Sequence, residues 1–179
     1  TRVLRAARFA QRFEFTIDPS TEALLREAVD MDMLDEVSGA RIREELLDII
    51  DEPGVGGVLE MLDRFGALCG LTPDGVAPGD AVASVERCSE AYDVLQGVLG
   101  RQPRRRTTLV SAMAAPATRA SAERWGRGLR FGREYTEPAV ITAERAASVL
   151  SRLKDRRGMR PSRLYFLLET LPLETIVYL

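Results

Sequence analysis

The spacing of apolar residues constrains this chain more than any other feature. Along most of its 179 residues they recur at three- and four-residue intervals, and no stretch alternates apolar and polar long enough to make a strand. Residues 2–13 set Val3, Leu4, Ala7 and Phe9 among Arg2, Arg5, Arg8 and Arg12, which cluster on one side at 100° per residue. Asp18-Pro19 reads as an N-cap and first helical position, with the helix continuing through Leu24, Leu25 and Ala28. Ser38 is the candidate N-cap of a helix over 39–51 with Ile42, Leu46, Ile49 and Ile50 inward, stopped by Pro53-Gly54. A further helix is expected over 55–69, and the glycines at its start, Gly54, Gly56 and Gly57, lack the strand and Lys of a phosphate loop.

Residues 70–80 are a loop by composition, followed by a helix over 81–99 with Cys88, Ala91, Tyr92, Leu95 and Leu99 inward. Short helices follow over 105–114 and 117–130. A break is expected from Gly132 to Pro138, then helices over 141–154, from Pro161 through Leu168, and from Leu173. The expected fold is all-α, an elongated array of eight to ten helices in two parts, 1–70 and 71–179.

Composition narrows the chemistry. There is no His, which excludes Ser-His-Asp and Cys-His catalysis, His-ligated zinc and His-Asp metal phosphohydrolase sites. The two cysteines, Cys69 and Cys88, match no metal or redox spacing, and each reads as a buried free thiol. No apolar run approaches the roughly 20 residues of a membrane span. The net charge of -2 conceals two unlike halves: residues 1–100 hold 9 Arg and 20 acids, and residues 101–179 hold 15 Arg, one Lys and 7 acids. Within 101–133 there are nine Arg and a single acid, Glu123. Arg104, Arg105, Arg106, Arg119, Arg124, Arg127, Arg130 and Arg133 are therefore candidates to track an RNA backbone, with Arg156, Arg157, Arg160 and Arg163 extending the surface. Trp125, Tyr135, Tyr165 and Tyr178 read as core residues rather than base-stacking platforms.

Three ordered strings carry a family resemblance. They are Arg-Val-Leu-Arg-Ala-Ala-Arg-Phe-Ala at 2–10, Arg-Phe-Glu-Phe-Thr-Ile-Asp-Pro-Ser-Thr at 12–21 and Val-Ser-Gly-Ala-Arg-Ile-Arg-Glu-Glu-Leu at 37–46. Together they resemble the neck of bacterial class II tRNA nucleotidyltransferases and poly(A) polymerases; beyond residue 46 the likeness lies in helical character and a Leu-Pro-Leu-Glu at 171–174.

The resemblance implies an enzyme that adds C or A to an RNA 3' end without a nucleic-acid template, using ATP or CTP and Mg²⁺. In that family an Arg and an acid on the first neck helix read the incoming base. The Arg falls on Arg2, with Arg5 and Arg8 placed to reach a triphosphate, and the acid would lie before residue 1. Arg41 and Glu45, four apart, are expected to pair and brace the neck; Ala40 replaces the motif's Glu, leaving Ser38 without its reciprocal capping acid. The family's head carries a Gly-rich turn, paired metal carboxylates and an Arg-Arg-Asp motif, none of which occurs here. The sole Asp-x-Asp, Asp30-Met31-Asp32, reads as a solvated helix end. The chain is thus expected to hold no catalytic or metal residues, to be inactive alone, and to work in the cytoplasm with the head domain, a nucleoside triphosphate and tRNA or another RNA 3' end. The alternatives from composition are a non-catalytic helical RNA-binding module and a helical protein-interaction domain.

Overall fold

The structure, a computed structural model, describes residues 1–95, 97–98, 100–154 and 159–179. Among them are ten α-helices and no strand: α1 (Arg2–Arg12), α2 (Pro19–Asp30), α3 (Gly39–Ile50), α4 (Val55–Arg64), α5 (Pro78–Leu95), α6 (Arg105–Ala114), α7 (Arg119–Gly128), α8 (Arg133–Lys154), α9 (Pro161–Leu168) and α10 (Leu173–Tyr178). The expectations for Leu99, Arg156 and Arg157 lie outside the described residues.

Local signals set most boundaries. The Asp18 carboxylate accepts from the Ser20 and Thr21 amides at 2.9 and 3.3 Å, and Pro19 takes the first helical position of α2. The Ser20 and Thr21 hydroxyls, with those amide bonds, hold the Asp18 carboxyl at about 2. Thr118 caps α7 through the Ser121 amide at 3.2 Å. Ser38 stands at the N-cap of α3 without a side-chain bond.

Three helices depart from the periodic reading; the helix expected over 81–99 is α5, which starts at Pro78 inside the expected loop and ends at Leu95. The helix expected over 55–69 stops at Arg64, because Gly66 turns the chain at φ +79°. Cys69 consequently sits on an exposed turn and not in the core. Cys88 is buried on α5, and burial raises its thiol to about 12. The break expected over 132–138 is instead the first part of α8, which runs through Pro138. Proline removes the amide that would bond the carbonyl four residues back. That carbonyl, Glu134 O, receives Arg104 Nη2 at 3.2 Å. Arg104 thereby satisfies the group that the proline leaves open.

The centre of the packing is α6, whose residues Thr107 to Ala114 are all buried. A helix enclosed on every side is surrounded by others, and α6 packs against α5, α8, α10 and α3. Its hydroxyls turn back onto its own carbonyls, Ser111 to Thr107 O at 2.8 Å and Thr108 to Arg104 O at 2.9 Å. One apolar cluster runs from Val3 to Val177 and crosses residue 70 without interruption. A smaller cluster of Val149, Leu167 and Leu171 seats α9 on α8. α10 is pinned to α8 by a buried Thr175–Thr142 hydroxyl contact of 2.7 Å.

Trp125 and Tyr135 enter or border the core, with Trp125 Nε1 donating to Leu71 O at 2.8 Å. Tyr178 also packs against it, but Tyr165 stands exposed on α9.

Candidate nucleic-acid interface

The N-terminal arginines form a ladder against α3 and Glu52, two residues past its end. Arg5 pairs with Glu45 at 2.5 Å, Arg8 with Asp48 at 3.4 Å and Glu52 at 3.5 Å, and Arg12 with Glu52 at 3.5 Å. Partner numbers rise together along both helices, so α1 and α3 run in the same direction in fixed register. The acids recur at 45, 48 and 52 as the arginines do at 5, 8 and 12, which is how two helical faces meet rung by rung. Glu45 and Glu52 are buried while Arg5 and Arg12 remain half exposed. Arg8 is mostly covered, with its guanidinium 4.7 Å above the Phe9 ring and its buried Nε without a hydrogen-bond partner. Gln11, Asp51 and Gly54 join these rungs around a cleft of ≈ 530 Å³.

This ladder corrects one expectation. Glu45 pairs with Arg5 across the helices and not with Arg41 one turn back; Arg41 is exposed. A buried carboxylate takes whichever cation the packing brings onto it, and α1 lies over that face of α3. Arg2 differs from its neighbours. It is exposed at the start of α1 and enters no ion pair among the described residues.

The Ser38-Gly39 string has its own structural reason. A Cβ on Gly39 would stand 1.8 Å from Gly128 O, so the start of α3 meets the end of α7 backbone to backbone. Arg43 Nη1 reinforces the junction by donating to Arg130 O at 2.6 Å.

The Arg-rich stretch is less free than its sequence suggests. Arg104 spans Glu174 Oε1 at 3.4 Å and Glu134 O. Arg105 donates to Ile50 O, a last-turn carbonyl of α3, and to Ser89 Oγ at 3.3 Å. Arg106 bonds Asp51 through Nε at 2.9 Å and through Nη2, and this bond raises its pKa. Arg119 reaches Glu123 at 3.0 Å and Glu144 at 2.6 Å, Arg124 reaches Asp74 at 3.3 Å and Arg133 reaches Glu137 at 2.9 Å. The acids missing from the local sequence are supplied by the fold. Arg127 and Arg130, at the end of α7, are exposed and enter no ion pair among the described residues. Among those residues, no group of three or more carboxylates or thiols is placed to hold a metal ion, and no helix is long and apolar enough to cross a membrane.

Known proteins share this fold. Residues 14–77 match the family described as the probable RNA- and SrmB-binding site of polymerase A. The A-adding tRNA nucleotidyltransferase of Geobacter sulfurreducens is 31% identical over 188 aligned positions, covering 100% of this chain and 21% of that protein. The multifunctional CCA protein of Cupriavidus pinatubonensis is 40% identical over 74 positions, covering 41% of this chain and 18% of that protein. The chain thus spans about a fifth of the length of these relatives. Among solved structures, the Thermotoga maritima CCA-adding enzyme complexed with tRNA superposes with a TM-score of 0.81 at 24% identity, over 99% of this chain and 42% of that one. A CCA-adding enzyme in apo form gives 0.81 at 25% identity, over 99% and 41%. The ordered motifs, the all-helical architecture and these relatives agree: the chain belongs to the tRNA nucleotidyltransferase and poly(A) polymerase family and corresponds to its helical neck and body.

Proposed function

We propose that the chain supplies base recognition and RNA binding to an enzyme that adds C or A to RNA 3' ends. The observation that carries this reading is the isolation of Arg2. Arg5, Arg8 and Arg12 are tied to α3 and stiffen the helix, while Arg2 projects from its first turn without an ion-pair partner among the described residues. A planar guanidinium on a braced helix offers fixed donors to a base edge, the way a protein distinguishes C from A without a template. Arg5 and Arg8 serve this role as braces, with the Arg5–Glu45 pair steadying the neck. ATP or CTP is the substrate.

Catalytic Mg²⁺ is held by the paired carboxylates of a head domain, and this segment acts in transfer only together with that head. The parts 1–70 and 71–179 act as neck and body. Arg127 and Arg130 lead the phosphate contacts, with Arg119, Arg124 and Arg133 beside them, while Arg104, Arg105 and Arg106 hold α3, α6, α8 and α10 together. An enzyme of tRNA ends works in the cytoplasm.

The test uses the complete enzyme carrying this segment together with its catalytic head. Arg2→Ala is expected to raise KM for ATP or CTP about tenfold and to blur the choice between C and A. Unchanged KM and unchanged base choice would overturn the base-reading role. For the RNA role, tRNA affinity of the 179-residue chain should fall steeply with salt and drop on Arg127→Gln with Arg130→Gln; salt-insensitive affinity would overturn it.

A further inference from the structure

α9 docks on α8 through Val149 and Leu167, and a notch of ≈ 170 Å³ opens beside that contact, lined by Arg145, Arg152, Arg163, Phe166 and Leu167. Arg145 and Arg152 flank Val149 at helical spacing, so they share its face of α8. Arg163 comes from α9. Among the described residues, none of the three enters an ion pair and no carboxylate lines the notch. Arg145 Nη1 donates to Thr170 Oγ1 at 3.0 Å. This contrasts with Arg104, Arg106, Arg119, Arg124 and Arg133, each of which has an acid. Three converging guanidinium groups repel one another until an anion enters.

A second feature lies at the same place. Phe166 is 66% exposed and Tyr165 64%, packed edge to face with ring centroids 5.7 Å apart. Such rings are at odds with solvation but suited to stacking a flat ligand. The notch is too small for a nucleoside and large enough for a phosphate.

We propose that the α8–α9 notch is a binding site for an unpaired RNA nucleotide, its phosphate held by Arg145, Arg152 and Arg163 and its base stacked on Phe166. An acidic peptide would use the arginines but has no use for an exposed ring. A duplex offers phosphates but keeps its bases stacked on each other. The site therefore selects single-stranded or looped RNA over duplex, and it rests on the RNA-binding reading above.

Fluorescence anisotropy on the 179-residue chain tests this, using a labelled single-stranded RNA, a fully paired RNA duplex and an acidic peptide competitor over a range of salt. Arg152→Gln with Arg163→Gln should weaken single-strand binding about tenfold and flatten its log–log salt slope by about one. Phe166→Ala should weaken it about tenfold with the slope unchanged, and Phe166→Trp should restore it. Both variants should leave duplex binding within about twofold. Phe166 is exposed, so its variant keeps the fold even if the double variant melts early. Unchanged affinity in the variants of a chain that binds RNA would overturn the site and leave the RNA-binding reading standing, as would equal losses on duplex and single strand. Displacement by the acidic peptide at concentrations that match RNA would overturn it in favour of a protein partner. A wild-type chain that binds neither RNA overturns both readings.

Discussion

Replacing Gly39 by alanine tests how α3 and α7 are joined. A Cβ there would lie 1.8 Å from Gly128 O, 2.8 Å from Gly128 C and 3.1 Å from Leu129 Cα. All three neighbours are backbone, so no side chain can swing aside, and the start of α3 must move away from the end of α7. Overpacking of this kind costs about 3 kcal/mol. The shift also strains the 2.6 Å bond from Arg43 to Arg130 O, worth about 1 kcal/mol at an exposed site. Against this, alanine favours helix over glycine by up to about 1 kcal/mol. The net is a loss of about 3 kcal/mol, which for a chain of this length lowers Tm by about 9 °C. Thermal melts followed by circular dichroism measure it. Gly128→Ala is the control: it sits on the same junction, yet a Cβ there meets nothing within 4 Å, and it should melt within about 2 °C of the parent. A Gly39→Ala chain that melts with the parent, or above it, would refute the argument that backbone contact fixes this glycine.

Three other outcomes follow from named contacts. Arg5→Ala should destabilise more than Glu45→Gln, by about 2 kcal/mol against about 1 in urea unfolding, because the first leaves a buried carboxylate without its cation and the second leaves an arginine that can still reach water. Arg104→Ala should cost about 2 kcal/mol in the parent and clearly less in a Pro138→Ala background, where the restored amide can take Glu134 O; additivity in that double-mutant cycle would sink the account of α8. The Asp18 carboxyl should titrate by NMR near 2 instead of 3.8. Its folded pKa is depressed, so its contribution to the cap of α2 is fully present above 3.8 and is lost as pH falls through 2, and a midpoint at the ordinary value would contradict the cap geometry.

Much of the architecture was legible without coordinates, for a local reason. The Asp18-Pro19 start of α2, the Pro161 start of α9 and the apolar stripe of α3 are all encoded within four residues of where they act. The boundaries that failed had distant or conformational causes. α4 ends early at a glycine turn, and α8 survives Pro138 through a donor 30 residues away.

The interface divides in the same way. The arginines at 2, 5 and 8 were legible as one motif, and the fold gave them different surroundings by laying α1 on α3 and leaving Arg2 beyond the ladder. The notch on α8 and α9 was missed because its signal is split: Arg145 and Arg152 share a helical face, but Arg163 and Phe166 join them only when Leu167 docks against Val149.

By itself, then, the sequence determined the helical class, the caps, the ordered neck motifs and the charge of each half, since these depend on neighbours along the chain. Tertiary structure decided which charges remain available. Asp51, Asp74, Glu144 and Glu174 come from 25 to 70 residues away to meet Arg106, Arg124, Arg119 and Arg104, and they turn much of an apparently free cationic stretch into internal clamps. Coulomb attraction depends on distance in space, and only folding sets that distance.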